Sequence, residues 1–295
     1  MISVLALSPA VDVTYEIDEL AVGQINRPRV TTVVAGGKAL NMARAAKALG
    51  AEVHVVVALG GANGERIRRG LRDDGIAATV VPIVAETRTC LAIVERDGGA
   101  SSTDVYESAA PLTAREWADF ADAVERAPLA EWTALSGSLP AGVPPDRLAD
   151  VLAGARRRGS RVALDAAGDL LAQVVAAGDL VKVNRHEAEG ILGRGLRDAA
   201  EAAEGVGRRF GVDAVVTDGI RPGAAAVGGA RLEIPPPAAP GRFPAGSGDS
   251  FFAGLVHGLQ QGMRPDRAVD LARRAAESNA RRAGQGVLDL PLGAS

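Results

Sequence analysis

The chain of 295 residues has one cysteine, Cys90, so no disulfide can form within it, and a lone thiol suits a reducing compartment. Its three histidines, His54, His186 and His257, are scattered, and none stands at zinc-ligand spacing with a cysteine or another histidine. No uncharged apolar run approaches the roughly 18 to 20 residues that would span a bilayer. The opening MISVLALSPAVD lacks the basic start and long apolar core of a secretory leader. The net charge is -3 and no basic run stands out, which gives neither nucleic acid nor a membrane surface a reason to bind. These absences point to a cytoplasmic globular protein. The hydrophobic fraction of 47% is ample for a packed core and argues against disorder.

Short apolar runs alternate with helical patterns. The runs are 2–7, 53–59, 132–135, 162–164, 180–183 and 214–216, and Ala-, Arg- and Leu-rich stretches of helical period lie between many of them. Continuous apolar strands are buried on both faces, so the pattern predicts an α/β protein with a mainly parallel sheet between helices. Ligands of such folds sit at the carboxyl ends of the strands. Residues 11–34 and 88–107 break the rhythm: VDVTYEI, RPRVTTVV, RTCLAIVER and STDVYES read as more polar strand pairs, with Asp97-Gly98-Gly99 as a hairpin turn. They predict a small separate sheet that covers a ligand or a second subunit.

Three motifs carry chemistry. Ala245-Gly246-Ser247-Gly248-Asp249-Ser250 opens a helix, FFAGLVHGLQQG. A small-residue loop at a helix start lets backbone N–H groups converge on an anion. A carboxylate there would repel a phosphate unless it takes the proton of an attacking hydroxyl while the amides hold the developing charge. The same residues also fit an ordinary glycine turn with Asp249 as N-cap. Gly36-Gly37-Lys38-Ala39-Leu40-Asn41 opens a second helix, with Lys38 and Asn41 able to meet hydroxyls or a phosphate, although it is neither a Walker A loop nor GxGxxG. Lys182-Val183-Asn184-Arg185-His186-Glu187 closes an apolar run and starts a third. Asn184 and Glu187 could orient waters around Mg²⁺, or form a capping box. Asp12, Arg27 and Arg88 are scattered charges in the inserted strands.

In their order along nearly the whole chain, GGKALNMARAAKALG, TRTCLAIVE, LSGSLPAGVP, VKVNRHEAEG and PAGSGDSFFAG resemble the ribokinase-like PfkB carbohydrate kinases. SPAVDVTYEIDELAVGQINR and LSGSLPAGVP point to the branch of 1-phosphofructokinases and tagatose-6-phosphate kinases. The resemblance implies a single domain over residues 1–295, built as a three-layer α/β/α sandwich. Its small β-sheet lid comes from insertions at about 11–34 and 88–107 and also forms a homodimer interface. It implies ATP and Mg²⁺, and a sugar phosphate as acceptor. Asp249 matches the family's base, and Gly246, Ser247 and Gly248 its anion hole. Asp12, Gly36, Gly37, Asn41 and Ser138 fall on the sugar side, and Arg27, Lys38 and Arg88 where this branch holds the substrate's existing phosphate. Asn184 and Glu187 match the element that positions Mg²⁺ through water, with Lys182 beside the nucleotide and Thr217, Gly219 and Gly223 near adenine.

The match departs at Ser8, where the branch has Asn, and at Ala39, Cys90, 107–110, 218–219 and Phe243-Pro244. These departures leave the base and anion hole intact and bear on the choice of sugar. Fructose 1-phosphate is the expected acceptor. Tagatose 6-phosphate, fructose 6-phosphate, an unphosphorylated sugar or a nucleoside are the alternatives, as is an idle sugar-phosphate-binding regulatory protein. Retention of Lys38, Arg27 and Arg88 argues for a phosphorylated acceptor, and retention of Asp249 argues for a working enzyme.

Overall fold

The structure, a computed structural model, describes residues 1–96, 102–166, 168–237 and 241–292. The chain starts with β1 (Ile2–Ala6), then builds β2 (Ala10–Ile17) and β3 (Val30–Gly36) before α1 (Lys38–Ala48). β4 (Val53–Leu59), α2 (Gly61–Asp73) and β5 (Ala77–Pro82) follow, then β6 (Thr89–Glu95) and β7 (Thr103–Tyr106). Next come α3 (Ala114–Arg126), β8 (Trp132–Ser136), α4 (Pro145–Arg157), β9 (Arg161–Asp165), α5 (Gly168–Val174), β10 (Leu180–Asn184), α6 (Arg185–Leu192) and α7 (Ala199–Phe210). The chain closes with β11 (Asp213–Asp218), β12 (Arg221–Val227), β13 (Ala230–Ile234), α8 (Ser247–Gln260) and α9 (Pro265–Asn279).

Nine strands form the main sheet in the order β13-β12-β11-β10-β9-β8-β1-β4-β5. All neighbours are parallel except β11–β12 and β12–β13. Strand side chains alternate between faces, and the two cores divide accordingly. Ile2, Val4 and Ala6 of β1, with Val53, Val55 and Val57 of β4, pack against α1, α2, α8 and α9. Leu5, Leu7, Val56 and Ala58 face the opposite core with α3 to α7. This is the expected three-layer sandwich, and each of the six apolar runs is one of its inner strands.

Two parts of the sheet were not visible as apolar runs. β5 is a half-exposed edge, and β12 and β13 form an antiparallel hairpin built largely from alanine and charged residues. Strands that bury one face, or sit at an edge, need no continuous apolar run.

The second sheet has the order β3-β2-β6-β7, made from the two polar insertions. β2 runs antiparallel to β3 and parallel to β6. β6 and β7 pair antiparallel, while the expected turn at 97–99 lies outside the described residues. β7 is exposed throughout, and Val105 and Tyr106 are open to solvent. Trp132, by contrast, is fully buried. Among the described residues no helix is long and apolar enough to cross a membrane.

Candidate active site

The parallel strands all point their carboxyl ends the same way, so Ser8 after β1, Ser136 and Gly137 at β8, Asp165 at β9, Asn184 at β10 and Thr217 on β11 fall along one edge. Gly37 and Gly246 start helices α1 and α8, whose first turns meet at this edge through Asn41 and Asp249.

Asn41 is the hinge pin of the arrangement. Its buried Nδ2 donates to Asp12 Oδ2 at 3.2 Å and to Asp249 Oδ2 at 3.0 Å. One carboxamide therefore ties the small sheet to the glycine loop. Asp12 Oδ2 also accepts from the Gly37 amide at 3.1 Å, while Asp12 Oδ1 and Asn41 Oδ1 are buried without partners. Buried acceptors left unpaired are costly, and ligand hydroxyls can satisfy these two. Gly36 is required here, because a Cβ would overlap the Asp12 carboxylate. Burial pushes the Asp12 carboxyl above its ordinary range against the pull of the Gly37 amide, Asn41, Arg44 and Arg88.

Asp249 lies in the first turn of α8 and is 6% exposed. The N-cap is Gly246, in the left-handed region at φ 84°, so Asp249 is free of the capping role. The first amides of a helix have no carbonyl one turn back, which leaves those of Gly248 and Asp249 pointing out of the helix end. Burial raises the Asp249 carboxyl to about 7. Lys38 opposes this, the nearby Asp165 adds to it, and Asn41 and Lys182 pull weakly downward. A carboxyl that titrates near neutrality suits a proton acceptor.

Asp165 is the residue that sequence reading passed over. It is fully buried, with Lys182 Nζ at 3.0 Å and Lys38 Nζ at 3.5 Å. Burial alone would push its carboxyl up, but the two ammonium groups outweigh that and hold it below its ordinary range. In return Asp165 holds Lys38 well above its ordinary range despite burial, with Asp249 and Glu187 adding to the effect. A Cβ at Gly248 would lie 3.1 Å from Lys182 Nζ, so this ammonium sits against the glycine loop. The one sequence signal was an acid directly after a buried apolar run.

Arg88 donates to the carbonyls of Ser8 at 3.0 Å and Glu107 at 2.9 Å, keeps a buried Nε without a partner, and exerts its charge on Asp12. Ser8 Oγ lies 3.0 Å from both the carbonyl and the hydroxyl of Ser138. Ala39 is buried in the core, and Cys90 is buried on β6 beside Asp12 in register, its thiol pushed up to about 11 by burial.

Arg27 is not brought to this site within one chain. Asp12 pairs with Val34 and Glu16 with Val30, so Arg27 lies beyond the far end of the hairpin, more than about 14 Å along the strand from Asp12. It is exposed there.

Asn184 and Glu187 form a reciprocal capping box: Asn184 Oδ1 accepts from the Glu187 amide at 2.8 Å and Glu187 Oε2 from the Asn184 amide at 2.8 Å. The local capping reading is thus realised, and it also fixes both side chains at the strand-end edge. A cavity of about 330 Å³ reaches from Thr217, Gly219 and Gly223 across Ile220, Ile234 and Phe251 to Ser247 and Gly248. It joins the turn after β11 to the glycine loop. Among the described residues no group of three or more acidic, histidine or cysteine side chains could hold a metal directly.

Residues 5–291 match the profile of the pfkB family carbohydrate kinases. The chain is 34% identical over 274 residues to a 1-phosphofructokinase of Rhodobacter capsulatus, covering 89% of this chain and 84% of that protein. It is 30% identical over 296 residues to a 1-phosphofructokinase of Escherichia coli, covering 98% and 94%. Among solved structures, phosphofructokinase-2 of Escherichia coli in complex with substrates and products superposes with a TM-score of 0.87 at 22% identity, covering 95% of this chain and 92% of that one.

Proposed function

Because the chain belongs to the pfkB family of carbohydrate kinases, we propose that its site transfers the γ-phosphoryl group of ATP to a hydroxyl of a ketohexose phosphate, with fructose 1-phosphate becoming fructose 1,6-bisphosphate. One observation carries this reading: the Asn41 carboxamide is bonded at once to Asp12, in the small sheet beside Arg88, and to Asp249, at the glycine loop. The acceptor's hydroxyls meet the unpaired oxygens of Asp12 and Asn41, and its phosphate meets the guanidinium of Arg88 and the ammonium of Lys38. A dianion needs such fixed cations, and a neutral sugar does not. The curated relatives named 1-phosphofructokinase support this choice of acceptor.

Asp249, ionised above about pH 7, takes the proton of the attacking hydroxyl. The amides at the start of α8 receive the charge that develops on the moving phosphoryl group, and the Lys182 ammonium beside Gly248 adds to that field. The nucleotide occupies the cavity between the turn at Gly219 and the glycine loop. The residues fit magnesium held through water, since Glu187 gives one carboxylate oxygen to its cap and its charge reaches Lys38. Magnesium bound there neutralises charge on the phosphates. The small sheet acts as the lid, and its exposed Val30, Val105 and Tyr106 face a second copy of the chain. Arg27, too distant within its own chain, meets substrate phosphate from that copy.

A coupled ADP-release assay with fructose 1-phosphate, fructose 6-phosphate, tagatose 6-phosphate, fructose, ribose and adenosine tests the reading. The highest kcat/KM is expected for fructose 1-phosphate. No ADP release with any acceptor would leave only a binding protein, release that no acceptor stimulates would be ATP hydrolysis rather than sugar phosphorylation, and a preference for fructose or adenosine would remove the phosphate-gripping role of Arg88 and Lys38.

A further inference from the structure

We propose that Asn279 is a positioning residue of the phosphoryl-transfer site, turning the Gly246 amide into the cleft and seating Asn41 against Asp249. Asn279 closes helix α9 and is fully buried. Its Nδ2 donates to the Ala245 carbonyl at 2.9 Å, with Ser247 Oγ at 3.3 Å and the Phe243 carbonyl at 3.4 Å. Its Oδ1 accepts from the Gly286 amide at 2.7 Å and from Ser250 Oγ at 3.2 Å. The core thus holds a neutral polar side chain whose hydrogen bonds are concentrated on the loop 243–250 and on Gly286.

The geometry has a direct consequence. The Ala245 carbonyl and the Gly246 N–H belong to one planar trans peptide and point opposite ways. Drawing that carbonyl inward to Asn279 aims the Gly246 N–H outward, to the side where Gly248 and Asp249 present theirs. The second half of the carboxamide fixes the other wall. Gly286, held by Oδ1, lies so close to the Asn41 backbone that a Cβ would overlap it, and a Cβ at Gly246 would lie 2.8 Å from Gln285 Cα and 2.9 Å from the Gly286 amide. Arg44 Nη1 donates to the Gln285 carbonyl at 2.9 Å, which pins the same segment to α1. Asn279 therefore sets the spacing between the glycine loop and the helix that carries Asn41, and so between the anion-binding amides and the base.

The inference rests on the kinase reading, and the test separates the two. Steady-state kinetics of the full chain with ATP and fructose 1-phosphate would compare the parent with Asn279→Ala, Asn279→Asp and Ser278→Ala. Ser278 is equally buried on the same helix and exchanges hydrogen bonds with the Asp289 backbone at 2.7 and 2.8 Å, away from the loop. Asn279→Ala should lower kcat about 10- to 100-fold while the sugar-phosphate KM changes less than about threefold. Asn279→Asp keeps both acceptor contacts but loses the donor to Ala245, and should lower kcat in the same way even if the alanine variant fails to fold. Ser278→Ala should lose thermal stability and keep the parent kcat. A kcat in Asn279→Asp within about threefold of the parent, or an equal loss in Ser278→Ala, overturns the positioning role. A parent that phosphorylates no sugar sinks the kinase reading and this inference together.

Discussion

Replacing Asp249 with asparagine should abolish turnover and stabilise the fold, and the gain should depend on pH in a fixed way. Burial raises the Asp249 carboxyl from an ordinary value of 3.8 to about 7. Below pH 3.8 the group is neutral in both the folded and unfolded chains and costs nothing. Between 3.8 and 7 the unfolded chain has released the proton and the folded chain still holds it, so the penalty for folding grows with pH. Above 7 both states are ionised and the penalty is constant. At about 1.4 kcal/mol per pH unit the full span corresponds to at most about 4 kcal/mol. Asparagine has the same shape, still accepts from Asn41, and carries no such penalty. Urea unfolding of parent and Asp249→Asn at several pH values reads this directly. The two should nearly coincide close to pH 4, separate as pH rises, and run parallel above pH 7, with the variant the more stable by a few kcal/mol. Equal stabilities at pH 8, or a difference independent of pH, would show that burial does not hold this carboxyl up.

The same raised value sets the activity profile: kcat/KM should fall tenfold per pH unit below about 7, as the base takes up its proton, and a flat profile down to pH 5 would remove Asp249 from that role. Arg88→Ala should raise the fructose 1-phosphate KM about 10- to 100-fold, since hydrogen bonds to charged groups are each worth about 1.5–3 kcal/mol, and should leave the rate with fructose as acceptor nearly unchanged. Equal loss toward both acceptors, measured in the ADP-release assay, would contradict the assignment of Arg88 to the acceptor's phosphate. Gly246→Ala should lower the melting temperature by several degrees, because the residue has φ 84° and its new methyl carbon would meet Gln285 Cα at 2.8 Å. An unchanged melting temperature would mean that this contact yields freely.

Much of this was legible in the sequence because the strands that matter are buried on both faces. The runs 2–7, 53–59 and 214–216 read as strands buried on both faces, each is an inner strand of the main sheet, and the carboxyl ends of those parallel strands mark the ligand-facing edge. The edge strands β5 and β13, and the alanine-rich β12 that pairs with β13, left no such mark. The glycine motifs located Asp249 and Asn41 because helix starts that bind anions or hydroxyls need small residues. What the sequence could not convey was pairing at a distance. Asp165 reads as an ordinary acid after Leu164 until Lys38 and Lys182 are seen closing on it. Asn279 reads as a polar helix end until the loop 243–250 wraps over it. Arg27 shares its chemistry with Arg88, but the hairpin register carries it past the far end of the small sheet, so within one chain the two do not meet.

The central claim is that the phosphoryl group passes to a sugar hydroxyl whose proton Asp249 removes. Phosphorus NMR of ATP and fructose 1-phosphate incubated with the parent and with Asp249→Asn tests it most directly. The parent should convert the γ-phosphate signal into a new phosphomonoester on a sugar bisphosphate, and the variant should leave both substrates unchanged over the same period. Free phosphate as the parent's product, or bisphosphate formed equally fast by the variant, would contradict it.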